Sequence, residues 1–343
     1  MKTPPRPVTL ADVGAKAGVS AKTVSRVVNR HPEVTPATRQ RVEAAIAATG
    51  FKPNMAARSL ATDRSFLIGC FIVNSHNFYY AELVRGAARA SRRYGFHLVL
   101  EEIDADESVA DYYHEKMRNI GYHGLILPPH YCDSAALLDA LEEDGQRYVR
   151  ISPAIDPDRS PSIYADDGQG VSELAEHLWR LGHRRFGVLA GPVGHLASTI
   201  RCDGFVQSLV RLGCSSSDIR IERPASWNSI AMAGRDVAER LLRTGERPTA
   251  IFCYNDELAA ALIGYARDMN LSIPHDLAVA GFDDSETARL NWPPLTTVHQ
   301  PIVEMAERAV GWLVSPEPSG QTICPVALKI RSSTDPDAVF IPE

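Results

Sequence analysis

Lys22, Arg26 and Asn29 stand at i, i+4 and i+7, with Ala21 and Ser25 beside them. On a helix this spacing puts donor-bearing side chains and small contact groups on one face, the pattern that reads base edges in a DNA major groove. A solvated amphipathic helix is the plain alternative, and charge weighs against it. Residues 1–64 hold eleven Lys or Arg against four Asp or Glu, a net +7. The whole chain carries −6, so the remainder carries −13. Positive charge gathered on one segment of an acidic chain marks a module for a polyanion, and nucleic acid is the obvious one.

A second set of residues could grip a small polar molecule. Arg201 offers a planar fork of donors, Asn255 an amide and Asp283 a carboxylate, a mixture suited to neighbouring hydroxyls. Phe78 with Tyr79, and Trp227, could stack on the less polar face of a sugar ring. Each has a plainer reading. Arg201 alone could be a surface ion-pair partner, Trp227 a core residue, and Asp283 or Asp284 a helix cap. Gln300 could touch a ligand or only steady the chain.

The elements that must position the first set are legible. Thr9 with Asp12 three residues on is a capping box, so a helix starts at Leu10 and runs to Ala17. Gly18 suits its left-handed end, and Ser20 caps a second helix from Ala21. Val24, Val27 and Val28 form the apolar stripe of that second helix, leaving its polar face outward. Two helices about a glycine turn make a helix-turn-helix candidate. Thr35 caps a third helix with Pro36 in its first turn and Gly50 beyond its end. After Phe51 and Pro53, NMAARSL allows a helix of only two turns capped by Asn54, too short to hold alone where roughly 12 to 15 residues are marginal.

TLADVGAKAGVSAKTVSRVVN and TPATRQRVEAAIAATGFKPNMAARSL together resemble the amino-terminal part of the lactose-repressor (LacI/GalR) family of bacterial transcription regulators. The likeness implies that the second helix enters the major groove, with Ala21, Lys22 and Arg26 at base edges. Thr9, Ser20, Thr23, Ser25 and Asn29 complete the DNA contacts there. It further implies that Asn54, Ala57, Arg58 and Leu60 belong to a hinge helix that pairs with its mate from a homodimer in the minor groove. Leu60 would be the apolar wedge that kinks the duplex, at a cost of a few kcal/mol offset by added contact. Gly14 departs from the alanine common in the family. A helix-interior glycine costs about 1 kcal/mol.

From Phe66 onward, apolar runs such as LIGCFIV, GLILP, RFGVLAG and LAVAGFDD alternate with helix-period stretches, which means βαβ units and parallel doubly wound sheets. So long a segment suits two lobes better than one, with a ligand at the carboxyl ends of the strands between them. The resemblance continues through LWRLGHRRFGVLAGP and PTAIFCYNDELAAAL. It implies an α/β periplasmic-binding-protein-like sensor of type I following a small all-α module. The expected division is 1–53 for the helix-turn-helix domain, 54–64 for the hinge helix and linker, and 65–343 for the sensor and dimerisation domain. Lobe 1 takes about 66–165 and 297–324, lobe 2 about 166–293 and 325–343. Arg201, Trp227, Asn255, Asp283, Phe78 and Tyr79 match ligand contacts of sugar-sensing members, so a sugar effector is favoured over a purine or other metabolite. Two departures bear on it. Ser152 stands where many relatives place an aspartate, and Phe78 replaces a usual proline while His76 adds a contact group.

Several classes are excluded. The six cysteines show no metal spacing and the eleven histidines no cluster, so no metal and no cofactor are expected. No GxGxxG opens a helix after a strand and no GxxxxGK[ST] occurs, which argues against a nucleotide-using enzyme. Pro4, Pro5 and Pro7 replace the apolar core of a secretory leader, and no run of eighteen apolar residues could span a membrane. A cytoplasmic regulator bound to operator DNA is the expectation, with ligand altering the lobe angle and thereby hinge folding.

Overall fold

The computed structural model describes residues 6, 8–28, 33–51, 65–73, 78–103, 107–193, 195–225, 229–243, 245–316 and 320–338. The chain divides into two units, Met1–Phe66 and Leu67–Glu343.

In the first unit α1 (Leu10–Ala17), α2 (Ala21–Val28) and α3 (Pro36–Thr49) pack on one small core. The capping box forms: the Thr9 amide donates to Asp12 Oδ2 at 2.8 Å, and the Asp12 amide donates to Thr9 Oγ1 at 3.4 Å. Gly18 ends α1 at φ 66°, and Ser20 Oγ accepts the Thr23 amide at 3.1 Å to start α2. Val13, Ala17, Val24, Val27, Val42 and Ala45 close the interior, while Val28 is only half-buried. Each buried valine contributes about 1.5 to 3 kcal/mol over its exposed state, enough to hold helices of eight residues that would not persist alone. The expected hinge at 54–64 lies outside the described residues.

Gly14 corrects the expectation that it is merely a weak point. A β-carbon there would meet the Val19 carbonyl oxygen at 2.7 Å and the Ala21 nitrogen at 3.3 Å. The turn lies directly on α1, with the Val19 amide donating to Gly14 O at 3.0 Å. Gly14→Ala is therefore expected to destabilise the first unit instead of gaining the roughly 1 kcal/mol of alanine's helix propensity. Faster hydrogen exchange of the α1 amides in the variant checks the sign; slower exchange would refute it.

The second unit holds two six-stranded sheets. Five strands come first: β1 (Leu67–Ile72), β2 (His97–Glu102), β3 (Gly124–Leu127), β4 (Tyr148–Ile151) and β5 (Ser162–Ala165). Five more follow: β6 (Phe186–Leu189), β7 (Ile219–Glu222), β8 (Ala250–Cys253), β9 (Ala278–Asp283) and β10 (Thr296–His299). Short strands β11 (Gln321–Cys324) and β12 (Ala327–Lys329) end the series. The first sheet runs β11-β5-β4-β3-β1-β2, all parallel, and the second β12-β10-β9-β8-β6-β7, parallel except for β12. Their helices are α4 (Phe78–Tyr94), α5 (Ala135–Glu143), α6 (Asp167–Arg180), α7 (Leu196–Arg211), α8 (Ile230–Leu242), α9 (Asp256–Asp268), α10 (Glu286–Leu290) and α11 (Ile302–Val314).

Each sheet is covered on both faces, as its uninterrupted apolar strands require. Leu83, Ala87 and Ala90 of α4 meet Met305, Ala309 and Leu313 of α11 over one face of the first sheet. Tyr113, Leu137 and Leu141 lie on the other. The chain passes between sheets after β5, after β10 and after β11. Since β10 belongs to the second sheet, the middle passage falls after His299, and the return to lobe 1 expected from 297 begins a few residues later. Strand order reverses between β1 and β3 and again between β6 and β8. A crevice for a ligand belongs at the carboxyl ends of those strands. No described helix is long and apolar enough to cross a membrane.

Candidate functional site

On α2 the outward face is as the spacing implied. Ala21, Lys22 and Arg26 are exposed, and neither Lys22 nor Arg26 has an ion-pair partner among the described residues. The hydroxyls of Thr9, Ser20 and Thr23 are engaged locally: Thr9 donates to Asp12 at 2.7 Å, and Ser20 lies 3.0 Å from Thr23. These three serve first to set the helix starts that aim Lys22 and Arg26. Ser25 is half-buried beside them. Asn29, Asn54, Ala57, Arg58 and Leu60 lie outside the described residues.

In the second unit the strand ends converge on a cavity of about 100 Å³. Tyr79, Ser152, Arg201, Asn255, Asp283 and Gln300 line it together although they are scattered over more than two hundred residues. Phe78 does not join them. It lies instead in a wider groove of about 810 Å³, beside α11 and α10. His76 and Trp227 lie outside the described residues. The smaller cavity is the better candidate, because it lies at the strand ends of both lobes and gathers Tyr79, Ser152, Arg201 and Asn255, which the groove does not.

Arg201 is not the open fork of donors its type suggests. Its Nε donates to Asp167 Oδ2 at 3.1 Å, its Nη1 donates to the Tyr254 carbonyl at 3.0 Å, and the same Nη1 lies 3.5 Å from Asp283 Oδ1. The guanidinium also rests 3.7 Å over the Phe282 ring. Only 4% of the side chain meets solvent. It is a buried charge held by two carboxylates, and burial of a charge requires such pairing.

Asp283 ends β9 with φ 109°, and Ser152 follows β4 with φ 51°. Non-glycine residues in this region carry strain that clusters at ligand clamps. Burial pushes the Asp283 carboxyl up, against the pull of Arg201. Asp167 Oδ1, Asp283 Oδ1 and Gln300 Oε1 are buried without a hydrogen-bond partner. Such groups are rare and costly, and all three are acceptors. Asn255 lines the cavity, and its Oδ1 caps α9 by accepting the Leu258 amide at 3.0 Å. The helix-cap reading of Asp283 and Asp284 fails: Ser285 caps α10, and Asp284 is a buried partner of Arg331 at 2.5 Å and Arg289 at 3.1 Å.

Sequence reasoning missed Tyr80, His130, His195 and Tyr254, which complete the wall. The His130 and His195 rings come from different lobes with centroids 5.9 Å apart, and the Tyr254 hydroxyl meets His195 Nδ1 at 3.1 Å. Burial, then Arg201 and His130, brings His195 down to about 4, so the ring is neutral at pH 7 and can both donate and accept. The positions of His130, His195 and Tyr254 past β3, β6 and β8, and of Tyr80 next to Tyr79 at the start of α4, were the available signal.

The comparisons with known proteins agree with this arrangement. Residues 9–54 match the family described as bacterial regulatory proteins, lacI family, and residues 175–334 match the periplasmic binding protein-like domain. The chain is 33% identical over 313 residues to the ribose operon repressor of Escherichia coli strain K12, covering 89% of this chain and 92% of that protein. The chain belongs to the lacI family of bacterial regulatory proteins. As a LacI-family member it is a DNA-binding transcription regulator with a ligand-binding domain, and its relatives are regulators, not enzymes. The LacI fold extends over nearly all of the chain. A lac repressor dimer bound to operator and the anti-inducer ONPF aligns with TM-score 0.77 at 29% identity, covering 96% of this chain and 99% of that one. The transcriptional regulator CelR in complex with cellobiose aligns at 0.69 and 27% identity, covering 96% and 100%.

Proposed function

We propose that this LacI-family regulator is a cytoplasmic repressor that binds a palindromic operator as a homodimer and takes a sugar in the cavity between its lobes. The observation that carries the effector is the pair of buried acceptors on the cavity wall without a hydrogen-bond partner, Asp283 Oδ1 and Gln300 Oε1. A ligand rich in hydroxyl donors satisfies them. A phosphosugar does not suit, since Arg201 is already shared between two carboxylates and a further anion would meet them. Tyr79, Tyr254 and the two histidines supply rings for the apolar face of a sugar. The relatives' names, a ribose operon repressor and a regulator in complex with cellobiose, support the same class. A purine, which those rings could also stack on, is the alternative.

The domain reading follows, with 1–53 as the DNA-binding part, 54–64 as hinge and the rest as sensor. Lys22 and Arg26 read base edges, and Leu60 wedges the central step. Leu290 and Trp292, each about three-quarters exposed, offer apolar surface to a dimer. Ligand shifts the balance between two lobe arrangements and so the folding of the hinge, and operator must alter ligand affinity by the same factor.

Thermal shifts of the purified protein against sugars, phosphosugars and purines test the effector class, because binding to the native state alone raises stability. Stabilisation by purines and by no sugar would remove the sugar reading. For the DNA face, Arg26→Ala is expected to cost roughly 1 to 3 kcal/mol in operator affinity and to relax discrimination at one base position. Equal loss on operator and random DNA in a fluorescence anisotropy titration would make Arg26 a phosphate contact only.

A further inference from the structure

β4 lies inside the first sheet, between β3 and β5, and a strand buried on both faces is expected to be apolar throughout. Its third residue is Arg150, which is fully buried. A guanidinium withdrawn from water is tolerated only when its donors are matched, and here they are matched by loops. Nε donates to Ser160 Oγ at 2.9 Å, and Nη1 donates to the carbonyls of Ile155 at 2.8 Å and Cys132 at 3.3 Å. Nη2 donates to the Asp156 carbonyl. Asp133, 3.8 Å away, supplies the counter-charge and accepts the amides of Ala154 at 2.9 Å and Ile155 at 3.0 Å.

These bonds tie the loop after β3 to the loop after β4. Both loops carry non-glycine residues at positive φ: His130 at 84°, Ser152 at 51° and Asp156 at 45°. Such conformations persist only where the surroundings over-determine them. His130 and Ser152 are also among the residues that these two loops present to the cavity, with Pro129 beside them.

We propose that Arg150, with Asp133, is the positioning residue of the lobe 1 wall: it holds Ser152 and His130 against the effector and so sets which sugar fits. This rests on reading the cavity as the effector site. A lysine at 150 keeps the charge but has no planar fork to span four oxygens from two loops. A site loosened by about an ångström loses much of its selectivity.

The test uses the full chain with D-ribose, D-xylose, D-glucose and cellobiose as probes, followed by calorimetric titration of whichever stabilises the wild type most. Arg150→Lys is expected to weaken that sugar at least tenfold. In the Ser152→Ala background the same change should cost less than threefold, because the hydroxyl it positions is gone. Asp133→Asn, which leaves the buried guanidinium in place, should lower affinity several-fold with the same non-additivity and serves if Arg150→Lys does not fold. Unchanged affinity, or an equal loss with and without the Ser152 hydroxyl, overturns the positioning role. If no sugar stabilises the wild type, the effector reading itself fails, and that result is distinct because it precedes any variant.

Discussion

Arg201→Met is expected to destabilise the sensor by about 3 to 5 kcal/mol at pH 7, the scale for breaking a buried ion pair by removing one partner. The reason is what remains. Asp167 and Asp283 would keep buried carboxylates with no guanidinium between them, and Asp167 Oδ1 already lacks a partner. Burial pushes both carboxyls up even with Arg201 present, so without it each favours the neutral acid still more. The loss should therefore shrink toward pH 5, where protonation relieves the uncompensated charge. Urea unfolding at pH 7 and pH 5 measures this as midpoints at unchanged slope. A loss below about 1 kcal/mol at pH 7, or one that grows on acidification, would show that Arg201 is not the counter-charge of this pair.

A second large effect concerns Asp256, buried at the start of α9. Burial pushes its carboxyl up to about 7, against hydrogen bonds from Thr297 Oγ1 at 2.6 Å and the Ser285 amide at 2.7 Å. In the unfolded chain the same group titrates near 3.8. The native state thus holds the extra proton between about pH 4 and 7, and stability falls as pH rises through that window. A rise from 3.8 to about 7 corresponds to a loss of at most roughly 4 kcal/mol, complete above pH 7. Asp256→Asn, with no proton to lose, is expected to flatten this slope. A variant whose stability still falls as steeply from pH 5 to 8 would place the titration elsewhere.

Some of this was open to inspection in the residue order. Thr9 with Asp12, Ser20 before Ala21, and Gly18 and Gly50 beyond their helices act over three or four positions, and all formed as read. The same local rules misjudged Gly14, since propensity counts a helix's own residues and not the Val19 carbonyl resting on it. In the sensor, the alternation of apolar runs and helical stretches sufficed for two parallel sheets. It missed by a few residues where the chain returns, because β10 looks like any buried strand until its neighbours β9 and β12 are known. Phe78 went to the wider groove for a related reason: adjacent residues at a helix start point apart, so Tyr79 reaches the cavity and Phe78 does not.

Family membership, the exposed basic face of α2 and the existence of two α/β lobes were determined by the sequence alone, because caps, periodicity and motif spacing are carried by near neighbours along the chain. The tertiary structure decided the chemistry of the cleft. Whether Arg201 is an open donor or a shared counter-ion depends on Asp167 and Asp283, brought to it from other strand ends. That His195 stays neutral beside His130, and that Arg150 ties the loop after β3 to the loop after β4, likewise depend on burial and on partners brought together by the fold. Solvent exclusion and pairing arise only when separate segments meet, so no reading along one segment contains them.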